Sequence, residues 1–126
     1  MRVLLDTVTF LWAVKTPERI SKKAMAVLAE PQTVREISAV SVSEMAIKWA
    51  IGKLGISRSE VEEGVADLQL RVLPYNAMHA FRMFALPMHH ADPFDRQIIA
   101  QAMVEEIPVV TADRVFHAYQ GLKVIW

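Results

Sequence analysis

Residues 2–7 (Arg-Val-Leu-Leu-Asp-Thr), at the start of the chain, give the strongest indication of the fold. Three consecutive apolar side chains that end at an acid and a threonine are typical of a strand buried on both faces, as in a parallel sheet. Short apolar runs recur at residues 37–40, 107–110 and 123–126, where further strands are predicted. Between these runs, apolar residues recur at the spacing of an amphipathic helix. The sequence therefore predicts an α/β domain with a short, mostly parallel sheet flanked by helices on both faces.

Helices are predicted between these strands. Ser21 and Ser41 are each expected to be an N-cap, because a serine side chain accepts a hydrogen bond from the first helical turn. Asp92 and Pro93 open a later helix, because proline is favoured at the first helical position. The ranges that the pattern predicts for the last three helices are about 58–70, 76–85 and 93–105.

Size, charge and composition restrict the function classes. A chain of 126 residues with 53% hydrophobic content fits one domain, taken as residues 1–126. The 14 basic residues balance 14 acidic ones, so any RNA contact needs a local basic rim or a bound metal. The absence of cysteine excludes thiol catalysis, disulfides and cysteine-bound zinc. With no secretory leader and no apolar stretch of about 18 residues, we expect a cytoplasmic protein without membrane contact.

Four acids are expected at one edge of this sheet. Asp6 follows the first strand directly, and Asp113 follows the strand that ends near residue 110. Glu44 and Asp95 are each expected in the first turn of a helix. Strand C-termini and helix N-termini meet at the same edge of a parallel α/β sheet, where such folds bind ligands. The topology therefore predicts a carboxylate cluster from residues far apart in sequence.

Such a cluster favours a bound cation. Two carboxylates about 4 Å apart repel each other by roughly 4 kcal/mol at an effective dielectric near 20. Protonation or a hard divalent ion relieves the repulsion, and ligands with oxygen donors alone favour Mg²⁺ or Mn²⁺ over zinc. Mg²⁺ suits a phosphate substrate, with one metal-activated water as the nucleophile and, where a second ion is present, stabilisation of the leaving oxygen.

Each acid also has a purely structural explanation. Asp6 and Asp113 would serve as a helix cap and a turn residue. Glu44 lies three residues after Ser41 and completes a capping-box pattern. Asp95 is an acid that the helix dipole favours in a first turn. Residue types and spacing leave both interpretations open.

Other polar and aromatic residues also have two interpretations. His89, His90 and Asp92 have the chemistry of a transition-metal site, although a loop role that supports the following helix is favoured. Lys48 and Arg96 would either contact phosphate or pair with neighbouring acids. The aromatic residues at helical spacing are expected in the core or at a dimer interface; these are Trp12, Trp49 and Phe81.

An ordered set of segments resembles the PIN-domain family, and most closely the VapC-type toxins of bacterial toxin–antitoxin pairs. The block His89-His90-Ala91-Asp92-Pro93-Phe94-Asp95-Arg96 is the most specific of them. The resemblance extends over essentially the whole chain; its other segments are 4–7, 41–48, 52–54, 86–88, 110–113 and 124–126.

The resemblance implies a Mg²⁺-dependent endoribonuclease, with Mn²⁺ as a substitute ion, that cleaves RNA phosphodiester bonds. It also implies a homodimer that a VapB-like antitoxin inhibits and that meets DNA only through this antitoxin. The acidic positions of the family, which bind metal and catalyse, fall on Asp6, Glu44, Asp95 and Asp113. Among these, Asp6 and Asp95 are expected to be the direct metal ligands.

The resemblance extends to two hydroxyl positions and has one departure. Thr7 and Thr111 match threonines that would bind a water or orient an acid. Val8 stands where relatives often have histidine, a change expected to affect packing or substrate contact more than catalysis.

Two other functions stay open from the sequence. One is a non-cleaving regulatory subunit of a toxin–antitoxin complex that binds DNA. The other is a phosphate-transferring α/β enzyme that uses Asp6 as a covalent nucleophile.

Overall fold

A five-stranded, fully parallel sheet forms the centre of the molecule, with the strand order β3-β2-β1-β4-β5. The structure is a computed structural model that describes residues 1–126. The strands are β1 (Arg2–Leu5), β2 (Val34–Ser38), β3 (Arg71–Leu73), β4 (Val109–Val110) and β5 (Val124–Ile125). This sheet confirms the predicted fold class.

Six α-helices connect the strands, and none of them is long and apolar enough to span a membrane. They are α1 (Thr7–Lys15), α2 (Lys22–Ala29), α3 (Ala39–Ala50), α4 (Arg58–Asp67), α5 (Ala77–Arg82) and α6 (Pro93–Glu105). Three short 3₁₀ turns follow α1, α5 and β4, at Pro17–Arg19, Met83–Ala85 and Arg114–Ala118. The predicted start of α2 after Ser21 and of α6 at Pro93 are confirmed.

Apolar residues pack on both faces of the sheet, as the prediction requires. In β1, Leu4 belongs to one core cluster, while Val3 and Leu5 belong to the other, because successive side chains of a strand point to opposite faces. Phe116 lies in the first cluster and Phe10 in the second. Both faces of β1 are therefore buried, which explains why its apolar sequence is not interrupted by polar residues.

The strand order creates a topological switch point beside β1. From β1 the chain moves outward through β2 and β3 on one side, and it returns to build β4 and β5 on the other. Leu5 pairs with Val110 in the parallel register of β1 and β4. Open α/β sheets bind ligands at the carboxyl ends of strands at such a point. Asp6 and Asp113 follow the two strands that flank it.

The predicted start of α3 is wrong. The helix begins at Ala39, and its N-cap is Ser38, whose hydroxyl accepts a hydrogen bond from the Val40 amide at 3.0 Å. β2 correspondingly ends at Ser38 instead of reaching residue 40. Glu44 therefore lies in the second helical turn instead of the first, and the capping-box explanation for this acid is wrong.

Helix α1 was not among the ranges that the sequence predicted. Its first residues, Thr7, Val8 and Thr9, have mediocre helix propensity because threonine and valine are β-branched. The Asp6 side chain caps this helix by accepting a hydrogen bond from the Thr9 amide. A strong cap and tertiary packing thus outweigh the local preference.

Candidate active site

The acids predicted to cluster lie at the carboxyl-terminal edge of the sheet. Asp6 joins β1 to α1, and Asp113 lies between β4 and the last 3₁₀ turn. Asp95 is in the first turn of α6, as expected, and Glu44 is in the second turn of α3. The negative charges of Asp6, Glu44 and Asp113 all raise the pKa of Asp95, so these three acids are within electrostatic range of Asp95.

Asp6 is a buried carboxylate that is held at both oxygens. Its Oδ1 accepts a hydrogen bond from the Thr9 amide at 2.9 Å, and its Oδ2 accepts one from Thr111 Oγ1 at 2.6 Å. Burial raises the pKa of Asp6, while the hydrogen bonds from Thr111 and Thr9 oppose that rise. Asp6 therefore caps α1, as the structural explanation held, and at the same time faces the other acids.

Glu44 is buried and is also held at both oxygens. Thr7 Oγ1 donates to Oε1 at 2.6 Å, and the Lys48 ammonium donates to Oε2 at 2.6 Å. The Thr7 hydroxyl additionally lies 2.9 Å from Ser41 Oγ. The hydrogen bond with Glu44, and the charges of the neighbouring acids, raise the pKa of Lys48. Thr7 thus connects the start of α1 to the acid on α3.

Asp95 differs from these two acids because no side chain or amide donates a close hydrogen bond to its carboxylate. The His90 ring lies close to it, with Nε2 3.5 Å from Oδ2. Burial, followed by repulsion from Asp92, Asp6, Glu44 and Asp113, raises the pKa of Asp95 to about 7. Near neutral pH this carboxyl is therefore balanced between protonation and charge.

Asp92 and Asp113 act on the backbone around the cluster. Asp92 Oδ1 accepts hydrogen bonds from the amides of Phe94 and Asp95, so it fixes the first turn of α6. Asp113 Oδ1 accepts one from the Val115 amide, and the rest of this exposed carboxylate faces solvent. The turn interpretation of Asp113 and the supporting role of Asp92 are both consistent with these contacts.

The two threonines that matched supporting positions each orient an acid. Thr7 donates to Glu44, and Thr111 donates to Asp6. The Thr111 hydroxyl also accepts the amide of Asp113 at 3.0 Å, so it connects two of the four acids. Sequence spacing alone would not have indicated which acid each threonine holds.

The carboxylates of Asp6 and Glu44 are turned toward their own donors. No group of three or more histidine, aspartate or glutamate side chains is arranged as the ligands of one metal ion. The transition-metal site considered for His89, His90 and Asp92 is therefore not formed. Lys48 pairs with an acid, while the guanidinium of Arg96 is buried and donates to the carbonyls of Pro87 and Leu86.

The expected core position of two aromatic residues is wrong. Trp49 is 52% exposed and Phe81 is 71% exposed, so neither belongs to the interior. Trp12 is half-buried and packs against Trp126 and the guanidinium of Arg19. The alternative prediction, that these aromatic residues lie at a dimer interface, remains open for Trp49 and Phe81 because both are exposed.

Comparisons with known proteins agree with the fold. The model of the PIN domain family matches residues 3–122. VapBC2 from Rickettsia felis, solved bound to a promoter DNA fragment, superposes with a TM-score of 0.74 at 16% identity over 98% of this chain and 97% of that one. DNA-bound VapBC from Salmonella typhimurium superposes with a TM-score of 0.69 at 19% identity, over 98% of this chain and 96% of that one. FitAcB from Neisseria gonorrhoeae superposes with a TM-score of 0.61 at 20% identity, over 97% of this chain and 95% of that one. No curated protein matched the sequence significantly.

Proposed function

The chain belongs to the PIN-domain family, and from this premise we propose that it is a Mg²⁺-dependent endoribonuclease, the toxin subunit of a VapBC-type toxin–antitoxin pair. One observation carries the proposal: Asp95 is a partly buried carboxyl without a close donor, and its burial, together with the charges of four neighbouring acids, raises its pKa to about 7. Such a group needs either a proton or a cation, and a cation suits a phosphate substrate.

The donor set fits a hard divalent ion. Asp6, Glu44, Asp95 and Asp113 offer carboxylate oxygens, and the chain contains no cysteine. Oxygen donors without sulfur favour Mg²⁺ or Mn²⁺. Because Asp6 and Glu44 now face their own donors, and no three acids are arranged as ligands of one ion, binding a shared ion requires some of these side chains to turn toward one another.

Each residue of the site has a distinct task in this proposal. Asp6 and Asp95 would hold the ion, with Glu44 and Asp113 completing the negative cluster. The hydroxyls of Thr7 and Thr111 keep two of these acids oriented. When bound, the ion supplies charge neutralisation at a phosphate and lowers the pKa of water.

Attraction of RNA to this site has to be local. The net charge of the chain is zero, so no global positive field guides a polyanion. The Lys48 side chain is 40% exposed at the cluster, and its ammonium balances Glu44 through one carboxylate oxygen. We propose that this ammonium and the bound ion together receive the RNA phosphate.

Exposed apolar surfaces support the proposal that the chain works in a complex. A groove of about 430 Å³ between α3 and α4 is lined mainly by apolar residues, including Val42, Trp49 and Val61. A second surface, around α5, exposes large side chains: Met78, Phe81, Phe84 and Met88. Contiguous apolar patches on a small protein mark interaction sites. We propose that the partners are a VapB-like antitoxin and a second copy of the chain. In this proposal the antitoxin, and not this chain, binds DNA.

The first test is cleavage of RNA by the purified chain with Mg²⁺ and with EDTA. We expect cleavage only with the metal, and we expect Asp6→Asn or Asp95→Asn to reduce it by about 100-fold or more, because lost metal stabilisation amounts to several kcal/mol. Asp67→Asn, an exposed acid on α4, is the matched control and should cleave normally. Cleavage that survives chelation and both substitutions would contradict the proposal.

A non-cleaving regulatory subunit of a DNA-binding complex is the second candidate. It is favoured by the finding that no three of the acids are arranged as ligands of one ion. A complex with the antitoxin that binds its promoter DNA, together with a free chain that never cleaves RNA in Mg²⁺ or Mn²⁺, would support it.

A further inference from the structure

Asp95 is the one member of the four-acid cluster that lacks a close hydrogen-bond donor. Asp6 receives the Thr9 amide and the Thr111 hydroxyl, and Glu44 receives Thr7 and Lys48. Asp113 receives a backbone amide. A carboxylate that serves as a metal ligand is normally held in place by a donor from outside the ligand set. The surroundings of Asp95 therefore indicate where its missing donor lies.

His90 is the side chain in that place. Its Nε2 lies 3.5 Å from Asp95 Oδ2, and both side chains are mostly buried, at 16% and 21% exposure. The same Nε2 is a buried polar atom with no hydrogen-bond partner elsewhere in the protein. Buried polar groups are nearly always paired, so an unpaired buried nitrogen that lies 3.5 Å from a carboxylate without a close donor needs an explanation.

The position of the ring proton follows from the other side of the ring. His90 Nδ1 lies 2.6 Å from Tyr119 Oη, and Arg96 donates to the same Oη at 3.1 Å. Because Tyr119 is buried, its hydroxyl proton needs an acceptor, and Nδ1 is the acceptor present. A neutral ring that accepts at Nδ1 carries its proton at Nε2. The nitrogen that carries this proton is the one that lies 3.5 Å from Asp95 Oδ2.

The anchor of this chain of contacts is rigid. Arg96, on the first turns of α6, is buried and donates to the backbone carbonyl of Pro87 at 2.8 Å and to that of Leu86 at 3.4 Å. The guanidinium thereby ties the loop that carries His90 to the helix that carries Asp95. Arg96 also holds Tyr119, which lies just beyond the last 3₁₀ turn. The relative position of His90 and Asp95 is therefore fixed from both sides.

We propose that His90 is a positioning residue for Asp95: the Arg96–Tyr119 pair fixes its tautomer, and its Nε2–H holds the Asp95 carboxylate in the orientation that binds a divalent cation. The cation-binding role of Asp95 rests on the function proposed above. His90 itself touches neither metal nor RNA in this assignment.

A simple packing role makes a different prediction. The His90 ring also lies against Phe116 and Tyr119, with centroid distances of 6.2 Å and 5.5 Å. If the ring only filled space there, phenylalanine would replace it without loss. His90→Phe therefore separates packing from hydrogen bonding, and His90→Gln restores an N–H donor on a non-aromatic side chain.

The first measurement is the ¹⁵N spectrum of the histidine side chains in the metal-free wild-type protein. We expect His90 to be the Nε2–H tautomer, and we expect Tyr119→Phe to change its tautomer ratio, because the hydroxyl donor is lost. A His90 ring protonated at Nδ1 alone would overturn the proposal. This readout depends neither on metal nor on catalysis.

The second measurement is the affinity for Mn²⁺, followed by electron paramagnetic resonance, together with kcat and KM for RNA. We expect His90→Phe to bind Mn²⁺ about tenfold more weakly or worse, as is usual when a partner of a metal ligand is removed. We expect kcat to fall with KM for RNA nearly unchanged, and His90→Gln to recover part of both losses. His117→Ala, an exposed histidine on the last 3₁₀ turn, is the control.

The outcomes separate the two proposals. A His90→Phe variant that is folded and keeps wild-type Mn²⁺ affinity overturns the positioning role, whatever its RNA cleavage. A wild-type chain that binds Mn²⁺, loses affinity in His90→Phe and yet never cleaves RNA supports the positioning role and contradicts the endoribonuclease. A wild-type chain that binds no Mn²⁺ overturns the cation site and this role together.

Discussion

At the scale of single residues, the cluster is a set of acids held in different ways. Asp6 and Glu44 are each fixed by two donors, one of them a threonine hydroxyl. Asp95 has no close donor: His90 Nε2 lies 3.5 Å from it, and burial together with four neighbouring acids raises the pKa of Asp95 to about 7. The unequal support explains why Asp95 is the acid whose protonation should respond to pH near neutrality.

The pH dependence of stability tests the environment of Asp95. The pKa of Asp95 is about 7 in the folded chain, against roughly 4 for an aspartate in an unfolded chain, so the folded state binds the proton more tightly. The stabilisation from that proton is present below about pH 4 and is lost as pH rises through 7. Asp95→Asn should thus raise the free energy of unfolding at pH 8 by about 1–3 kcal/mol and change it little at pH 4.

Urea denaturation in EDTA at several pH values measures this difference between the variant and the wild type. Asp67→Asn, at an exposed position, serves as the control. An Asp95→Asn effect that is independent of pH would contradict the assigned cause, because it would mean that burial of the charged carboxylate and repulsion from its neighbours do not destabilise the site.

Removal of the Thr111 hydroxyl tests the support of Asp6. Thr111→Val leaves Asp6 Oδ2 buried without its 2.6 Å donor. We expect a loss of about 1–3 kcal/mol in the free energy of unfolding, the usual cost of an unpaired buried acceptor. Thr33→Val, at a buried threonine away from the acids, should cost less. Equal costs for the two variants in urea denaturation would show that the hydroxyl does not stabilise Asp6.

At the scale of elements, local sequence signals explain some parts of the site and miss others. The transition from apolar strand to Asp6-Thr7 predicts the end of β1 correctly, because burial on both faces leaves a readable pattern. The start of α3 was misplaced because Ser41 and Glu44 look like a capping box. Tertiary contacts with Thr7 turn both side chains inward, and Ser38 is the cap.

The sequence does not predict which side chains surround Asp95; it only favours a loop role for His90 that supports the following helix. The His90 ring meets Tyr119, which is 29 positions away, and Arg96 meets the same hydroxyl across 23 positions. Neither spacing matches a helical or strand period, so only the folded chain brings them together. For the same reason, the pairing of each threonine with its acid became clear only from the structure.

The cap of α6 gives a prediction at the element scale. Asp92 accepts the amides of Phe94 and Asp95, so Asp92→Ala should cost about 0.5–2 kcal/mol of stability and also loosen the first turn that carries Asp95. RNA cleavage should therefore fall with stability in this variant.

Two variants separate the cap from the site. Asp92→Asn keeps a capping oxygen and should recover most of the stability. Ser21→Ala removes the cap of α2 and should cost similar stability without affecting cleavage. If Ser21→Ala impaired cleavage as much as Asp92→Ala, the effect would come from global stability and not from the placement of Asp95.

At the scale of the whole molecule, the parallel sheet of order β3-β2-β1-β4-β5 brings the ends of β1 and β4 side by side. Because of this order, acids separated by about a hundred positions come close enough to interact: the charge of Asp113 raises the pKa of Asp6. The alternation of strands and helices predicted the fold class, whereas the strand order was visible only in the structure. The balanced charge of the chain leaves substrate attraction to the site itself.

The neutral net charge predicts a shallow salt dependence for RNA cleavage. Each phosphate contact with single-stranded RNA contributes about −0.7 to the slope of log affinity against log salt. With Lys48 and a bound cation as the main positive groups, we expect a slope of about −1 to −2 for kcat/KM at saturating Mg²⁺. A slope beyond about −4 would indicate an extended basic surface, contrary to the local attraction proposed here.

The most direct test of the carboxylate cluster is a Mn²⁺ titration of the purified chain at pH 8, without RNA, followed by electron paramagnetic resonance. We predict saturable binding by the wild type and by Asp67→Asn, and at least about tenfold weaker binding by Asp6→Asn and by Asp95→Asn, because each variant loses a charged ligand. Equal affinity in all four proteins, or no saturable binding by the wild type, would contradict the assignment of these acids as a metal site.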